Sequence, residues 1–600
     1  MKKYLLSIII FLSVFIGADA TKIAFLCDIH VSPGNANESK LKEVVKAINS
    51  SDADVAILAG DLTNEGSDEE LSNVKPILDA IAKPLYIIPG NHETTWSQSA
   101  CKTFTDIWQA DRFITEVDGM VLVGINCGPY MKMGDGHIKQ EDLIWLDKML
   151  SEHKGKRVIS INHMPLMPDL DNYIDYIKVL EKYNVVTHLC GHYHSIKYYK
   201  GGDIDCLINR ALDMRDGDYG YTEIEIVNDS IKQWNCRLDK KPELSNAFKI
   251  NDNLRPMPDT VATVQEMPAG FKIEMIYRDN ASIFTRLGID GNNIYFGNSL
   301  GFVKAIDKRT GENRWEYKTE ASLYSRPAVS GKYVIIPTSD KRMLWFDKKG
   351  NIIKECNSDG PYVADGLVAG NVLYQGGLKK FEAWDTKSAT LLWRASANNY
   401  CQACPSLRGN DIVFGNWDTN LRCLNTKDGE LKWIWNNGKE RTHFSPGNCV
   451  PVVANDKVII VAPDRYMTAI DRVTGKTIWR NNSHKFRESL GVSADGKRAY
   501  AKTMDGELIA VSTEGNEYNE LWMVDAKLGY EHAPCIVVES KGVVYMGSRG
   551  GVIAAVDPKT HTLLWNYRIG NSEFNGWEID KNGDVYTSLI EGTIWKVSKK

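Results

Sequence analysis

Nowhere in these 600 residues is there a long run of basic side chains, and the formal net charge is −5. A chain so balanced has no electrostatic footprint for nucleic acid, which is excluded as an obligate partner. After residues 1–20 no stretch is apolar enough to span a bilayer, so no transmembrane segment is expected. The twelve cysteines lack zinc-ribbon spacing: Cys401-Gln-Ala-Cys404 is the one close pair, and no second pair completes a four-sulfur site. Cys27, Cys127 and Cys190 end or flank apolar runs, where a thiol packs as a small hydrophobe, and all twelve are expected to be structural. Export would permit disulfides, but the spacing does not give their pairing.

What is present begins with a leader. Met1 to Ala20 combine Lys2-Lys3, an apolar core over 4–17 and a small-residue end, Ala18-Asp19-Ala20, the pattern of a secretory signal peptide with Thr21 as the mature start. Cys27 lies too far in to be a lipid-bearing residue at that cleavage site. The product is expected to be exported, periplasmic or extracellular. Its length exceeds what one core supports, so at least two domains are expected.

Five short motifs follow in order: Asp28-Ile-His30, Gly60-Asp61, Gly90-Asn91-His92-Glu93, His163, and Gly191-His192-Tyr193-His194. Each comes just after an apolar run that reads as a buried strand, over 22–27, 55–59, 85–88, 158–161 and 185–189. Any one alone reads as a turn, a surface loop or a packed core histidine. Ligands gather at the carboxyl ends of strands in open α/β sheets, so the expectation is that these groups converge on one edge of one sheet. Carboxylates, histidines and an amide oxygen at such an edge suit two dications about 3.5–4 Å apart. Mixed His and carboxylate ligation suits Zn, Mn or Fe, and the pattern does not choose among them.

From Thr21 to Arg237 strand-like runs alternate with helical spacing over 41–48, 69–81 and 139–150, and 221–234 reads as an edge hairpin. The expected division is a signal peptide over 1–20, an α/β domain over 21–238, a Pro-rich linker over 239–269 and a repeat domain over 270–600. In the last, a short apolar strand, an acidic or polar turn with Gly and a strand carrying Trp recur roughly every 40 residues, as in Ala305-Ile-Asp307 to Trp315 and Ala469-Ile-Asp471 to Trp479. The strand over 592–598 ends the chain without a partner, and 271–277 has no unit of its own. Pairing the two would close an eight-bladed β-propeller of four-stranded blades. The repeated Trp residues are expected between blades.

The five motifs, over about 22–237, resemble the calcineurin-like metallophosphoesterase superfamily, and the repeats resemble the eight-bladed propellers of pyrroloquinoline-quinone dehydrogenases, a class with scaffold relatives that bind no quinone. The first resemblance implies a four-layer α/β sandwich. It implies that Asp28, His30 and His194 hold one divalent or trivalent metal ion and Asn91, His163 and His192 a second, with Asp61 bridging. A metal-activated hydroxide would attack phosphorus in line, and His92, not a ligand, would give a proton to the leaving oxygen. Glu93 is expected either to orient His92 or to be a solvated loop acid. The first and third motifs look closer to the cyclic-nucleotide-phosphodiesterase-like branch than to purple acid phosphatases.

Other residues are weaker candidates. Arg210 follows the apolar run 204–208 and has the geometry to bind a substrate phosphate. The loop 128–136, with Tyr130, Met131 and Met133, is either a pocket wall or a surface loop, and His137 is placed on a loop near the site. His153 and His188 read as structural. The leading expectation is an exported binuclear-metal phosphoric-ester hydrolase, diester or monoester, whose propeller restricts or presents substrate. The alternative makes the propeller the functional part, binding a protein or glycan, with the other domain in support; retention of every ligand weighs against it. A quinone-dependent dehydrogenase would carry adjacent cysteines, which this chain lacks, so no quinone is expected.

Overall fold

All five apolar runs that precede a motif form β-strands: Thr21–Leu26, Val55–Ala59, Leu85–Ile88, Val158–Ile161 and Val185–Cys190. The computed structural model describes residues 20–131, 134–215, 217–252 and 265–600. The expected leader up to residue 19, Met133 and residues 253–264 of the expected linker lie outside the described residues.

The strands fall into two six-stranded sheets rather than one. The first three pair in parallel in one sheet, and Met120–Ile125, Val158–Ile161 and Val185–Cys190 pair in parallel in the other. Ile23, Phe25, Ile57, Ile159, Leu189 and Leu207 fill the space between the sheets. Helices Ala36–Ser50 and Asp68–Leu78 cover one outer face, and Gln140–Glu152 and Tyr173–Leu180 the other. This is the expected four-layer sandwich. Asp68–Leu78 is started by a capping box, in which Ser67 and Glu70 satisfy each other's backbone N–H groups.

The hairpin appears as Gly220–Val227 with Ser230–Arg237. The expected linker is partly wrong: Glu243–Lys249 adds to the hairpin as the edge strand of the first sheet. Its mostly exposed, mixed side chains show no apolar alternation, which is how an edge strand hides in sequence.

The rest of the described chain forms eight small sheets in sequence, an eight-bladed propeller. Seven are four-stranded. The remaining one joins its middle strands into the single run Val372–Asp385, which turns at Lys379 where φ is 59°. Phe271–Arg278 pairs antiparallel with Thr593–Lys599, so strands from both ends of the domain close the ring as expected. The turn Asp carboxylate caps its own turn: Asp307 accepts from the N–H groups of Arg309 and Thr310. The Trp residues do lie between blades. Trp315 donates to the Lys348 carbonyl of the next blade at 3.2 Å and lies flat on its turn glycine, where a Cβ on Gly350 would come 2.6 Å from Trp315 Cγ. Trp393 over Gly429 and Trp433 over Gly475 repeat the arrangement. All twelve cysteines are free thiols, ten of them buried. Among the described residues no helix is long and apolar enough to cross a membrane.

The two domains share a packed seam. Tyr130 packs against Phe284, the rings tilted at 34° with centroids 5.1 Å apart, and reaches a cavity lined by residues of successive blades. Tyr400 Oη donates to the Gln98 carbonyl at 2.6 Å, and Trp96 meets Trp417 edge-on at 5.0 Å. Ser282 Oγ accepts from the Gln140 N–H at 2.9 Å, and the Asp135 carboxylate pairs with Arg549 at 3.2 Å.

Candidate metal centre

Where each strand ends, the chain turns sharply. Asp28, His30, Asp61, His192 and His194 all have left-handed backbone, with φ of 52°, 46°, 52°, 70° and 46°. Non-glycine residues rarely hold that conformation, and such strain gathers at functional sites. Here it turns five polar side chains back towards one point above the sheets. The first sheet supplies Asp28, His30, Asp61 and Asn91, and the second supplies His163, His192 and His194. The expectation of one sheet edge is corrected: these side chains meet across the gap between two sheets, each contributing the carboxyl ends of its parallel strands.

Three glycines make room. A Cβ on Gly90 would stand 2.2 Å from Asp61 Oδ1, one on Gly191 2.5 Å from Asp28 Oδ2, and one on Gly60 2.6 Å from His163 Nδ1. Backbone N–H groups hold the carboxylates in turn: His92 N donates to Asp61 Oδ1 at 3.0 Å and His192 N to Asp28 Oδ2 at 3.0 Å. His163 Nδ1 lies 2.8 Å from the Ala59 carbonyl, which makes it the donor and aims Nε2 inwards.

The inward atoms form three overlapping groups: Asp28, His30 and His194; His30, Asp61 and His92; and Asp61, His163 and His192. Asp61 belongs to two of them. Asn91 Oδ1 sits 3.0 Å from both His163 Nε2 and His192 Nδ1. Asp61 Oδ2 is 3.2 Å from His163 Nε2, and Asp28 Oδ1 is 3.3 Å from His194 Nε2. Burial alone would push the Asp61 carboxyl up, but His163, His92 and His30 hold it far below the usual carboxylate range. Burial would lower His163, yet Asp61 and Asp28 raise it well above an ordinary imidazole. Burial and then His163 lower His192 to about 4.

This donor set fits metal ions. Two imidazole nitrogens, His30 Nε2 and His194 Nε2, face each other at 3.1 Å, and the buried His30 Nδ1 has no hydrogen-bond partner. Nitrogen lone pairs converging beside the two buried carboxylates of Asp28 and Asp61 are arranged for a shared cation rather than for one another.

All seven expected ligands are thus brought together, with His92 beside them: its Nε2 is 3.7 Å from Asp61 Oδ2 and its Nδ1 bonds the Asn64 carbonyl. Glu93 does not orient His92. Its carboxylate accepts from Thr63 N and Oγ1 at 3.0 Å and from Gly90 N at 2.8 Å, bracing the Asp61 loop against the Asn91 loop. Arg210 is buried away from the site, bonded to Asn235 and to the Asp218 and Ala211 carbonyls, so the substrate-phosphate expectation fails. His137 is buried at the seam, 2.8 Å from Asp171 and 3.2 Å from Ser282 Oγ. His153 bonds the Met149 carbonyl, and His188, lowered to about 3 by burial, bonds Ser160 and Asn162 in the core. Met131 lines the cavity beside the cluster, and it joins Tyr130 in an apolar cluster with Phe284, Tyr324 and Tyr400 of the propeller.

The propeller residues that face the cluster were not expected. A cavity of about 410 Å³ runs from Asn91 and His192 to Trp417, His443 and Arg487. Another of about 480 Å³ runs from His92 and Asn64 to Tyr400 and Arg441. Trp96 and Trp417 line both. Trp417 lies off the repeat, in the turn after Phe414-Gly415, and that irregularity was the available signal.

Residues 21–195 match the calcineurin-like phosphoesterase family. Residues 274–354, 357–459 and 434–599, together more than half the chain, match the family described as outer membrane protein assembly factor BamB. The chain belongs to the BamB-like repeat family, and its N-terminal domain to the calcineurin-like phosphoesterases. That phosphoesterase domain is 26% identical over 159 residues to a probable glycerophosphodiester phosphodiesterase GpdQ of Arcobacter nitrofigilis, covering 24% of this chain and 57% of that protein. It is also 26% identical over 197 residues to a probable cyclic nucleotide phosphodiesterase of Vesicomyosocius okutanii, covering 29% and 79%. The BamB-like propeller is 23% identical over 283 residues to BamB of Yersinia pestis, covering 44% and 69%. The structure of BamB from Moraxella catarrhalis has a TM-score of 0.46 at 14% identity, covering 55% of this chain and 99% of that one.

Proposed function

We propose that the chain is a binuclear-metal-dependent phosphoric-ester hydrolase, with its hydrolase domain over about 21–250, and that its propeller over 270–600 walls the substrate cleft. The observation that carries this is the place of Asp61, whose Oδ2 lies 3.9 Å from His30 Nε2 of one trio and 3.2 Å from His163 Nε2 of the other. Asp28, His30 and His194 would hold one metal, and Asn91, His163 and His192 the other, with Asp61 between them. The metals would activate water as a nucleophile at neutral pH and neutralise charge on the phosphoryl oxygens.

The chain's own groups do the rest. The Ala59 carbonyl fixes the His163 tautomer, and the Thr63, Gly90 and Glu93 bonds keep the two first-sheet loops in register. His92, tied through Nδ1 to Asn64, presents Nε2 as the atom that holds a proton for the leaving oxygen. The cavities at the His92 and His192 ends leave room for a group on each side of phosphorus, which favours a diester. The phosphodiesterase names of the relatives lean the same way. The pattern of residues 1–20 supports export.

The test is elemental analysis of the purified chain, with assays in Mn, Zn or Fe on bis-p-nitrophenyl phosphate and p-nitrophenyl phosphate. About two metals per chain with faster diester turnover is expected. A folded protein that binds no metal and turns over neither ester would overturn the proposal.

A further inference from the structure

We propose that the propeller carries an anion-binding subsite, built from Arg487, Arg465 and Lys439 beside His443, that receives a second phosphate on the non-reacting arm of the substrate. This rests on the hydrolase reading of the ligand cluster.

The cavity that begins at Asn91 and His192 does not end at Trp417. Three of its lining residues, His443, Pro463 and Arg487, also line a groove of about 510 Å³ that contains Lys439 and Arg465. One path therefore leads from the ligand cluster, across the domain seam, to a basic rim on the propeller.

The acids along that path are already engaged. Asp135 pairs with Arg549 at 3.2 Å and lies 3.4 Å from His532. Asp169 accepts from Tyr193 Oη at 2.5 Å, Asp464 pairs with Arg480, and Glu488 is 3.4 Å from Arg487. Among the described residues Lys439 and Arg465 make no ion pair, and both are exposed. In a chain of net charge −5, a cleft mouth with two exposed cations free of any ion pair, Lys439 and Arg465, beside an Arg487 whose one acidic partner is Glu488, is a local reversal of sign. Such a reversal concentrates an anionic ligand at the mouth.

The rim is also held in place. Buried Asn437 closes the loop that carries Lys439: its Nδ2 donates to the Phe444 carbonyl at 2.8 Å and its Oδ1 accepts from Lys439 N at 3.0 Å. Arg487 is partly shielded, with 31% of its side chain exposed, so its charge is less screened than that of a free surface arginine. A guanidinium can take a phosphate through two parallel hydrogen bonds, and a lysine beside it adds a point charge. The fitting ligand is a phosphodiester that bears a further phosphate along its chain.

The test follows bis-p-nitrophenyl phosphate hydrolysis by the full chain while a thymidine dinucleotide is added, with or without a terminal phosphate. The phosphorylated dinucleotide is expected to inhibit about tenfold more tightly, as a charge-assisted contact would give. The ratio of the two inhibition constants should fall to about one in Arg487→Ala and in the exposed pair Lys439→Ala with Arg465→Ala. Equal constants in the wild type overturn the subsite. So does a preference that survives in both variants, because the added phosphate would then be binding at the ligand cluster. If bis-p-nitrophenyl phosphate is not turned over at all, the hydrolase reading fails first. Calorimetric affinities of the same two dinucleotides then decide the subsite alone, and equal affinities overturn it.

Discussion

Glu573 lies at the seam between the domains, 5% exposed, with its Oε2 3.4 Å from the Gly134 N–H. Burial first, then the charges of Asp135 and Asp171, push its carboxyl well above the ordinary range, and Glu531 adds to them. Those neighbours keep partners of their own: Asp135 with Arg549 and His532, Asp171 with His137, and Glu531 with Lys502. In the unfolded chain Glu573 titrates near about 4.3. Above that value the unfolded state has lost a proton that the folded state retains. Stability from this group is therefore fully present below about pH 4.3 and declines by about 1.4 kcal/mol per pH unit until the raised folded value is passed. Glu573→Gln keeps the shape, stays neutral and should lack the decline. Urea unfolding followed by tryptophan fluorescence, from about pH 5 upwards, should show wild type losing about 1.4 kcal/mol per unit relative to the variant. Parallel stability curves would refute a protonated Glu573 at the seam.

Three further outcomes are expected. Asp61→Ala or His192→Ala should cut diester turnover more than about 100-fold while the propeller keeps its tryptophan fluorescence; wild-type rates in a folded variant would remove these residues from the site. Removing metal with a chelator should lower the unfolding free energy by about 2.7 kcal/mol relative to protein at 100 times the dissociation constant, and an unchanged midpoint would contradict a folded-state metal site. A double-mutant cycle on Trp96→Ala and Trp417→Ala should give about 0.5–1.5 kcal/mol of coupling, and strict additivity would mean that the edge-on contact does not join the domains.

The convergence of these side chains could be read in advance because each follows a strand whose apolar run is nearly continuous, and strand ends in parallel sheets share a direction. How the strands are divided between sheets could not be read that way. It depends on Thr21–Leu26 pairing with Gly220–Val227, distant in sequence, and no local periodicity records such a partner. Arg210 misled for a related reason: it also follows a strand, but its guanidinium turns to the Ala211 and Asp218 carbonyls and to Asn235 of the hairpin. Glu93 was read as a partner of His92 because it is adjacent in sequence, whereas its carboxylate faces the opposite loop. The propeller was legible because its repeat encodes a local device, an aspartate-capped turn with a glycine under the neighbouring blade's tryptophan. The cleft wall was not, since Trp417, His443 and Arg487 depart from the repeat and acquire meaning only once the other domain is docked on them.

The latch between Phe271–Arg278 and Thr593–Lys599 sets an order of events during synthesis. The hydrolase strands leave the ribosome first and have everything they need to assemble the ligand cluster. The ring, by contrast, stays open until its last strand arrives to meet its first, and an open ring offers no fixed wall to the cleft. A chain caught before the ring closes would therefore present its side-chain cluster to solvent without the propeller wall. Selectivity would be the last property the chain acquires.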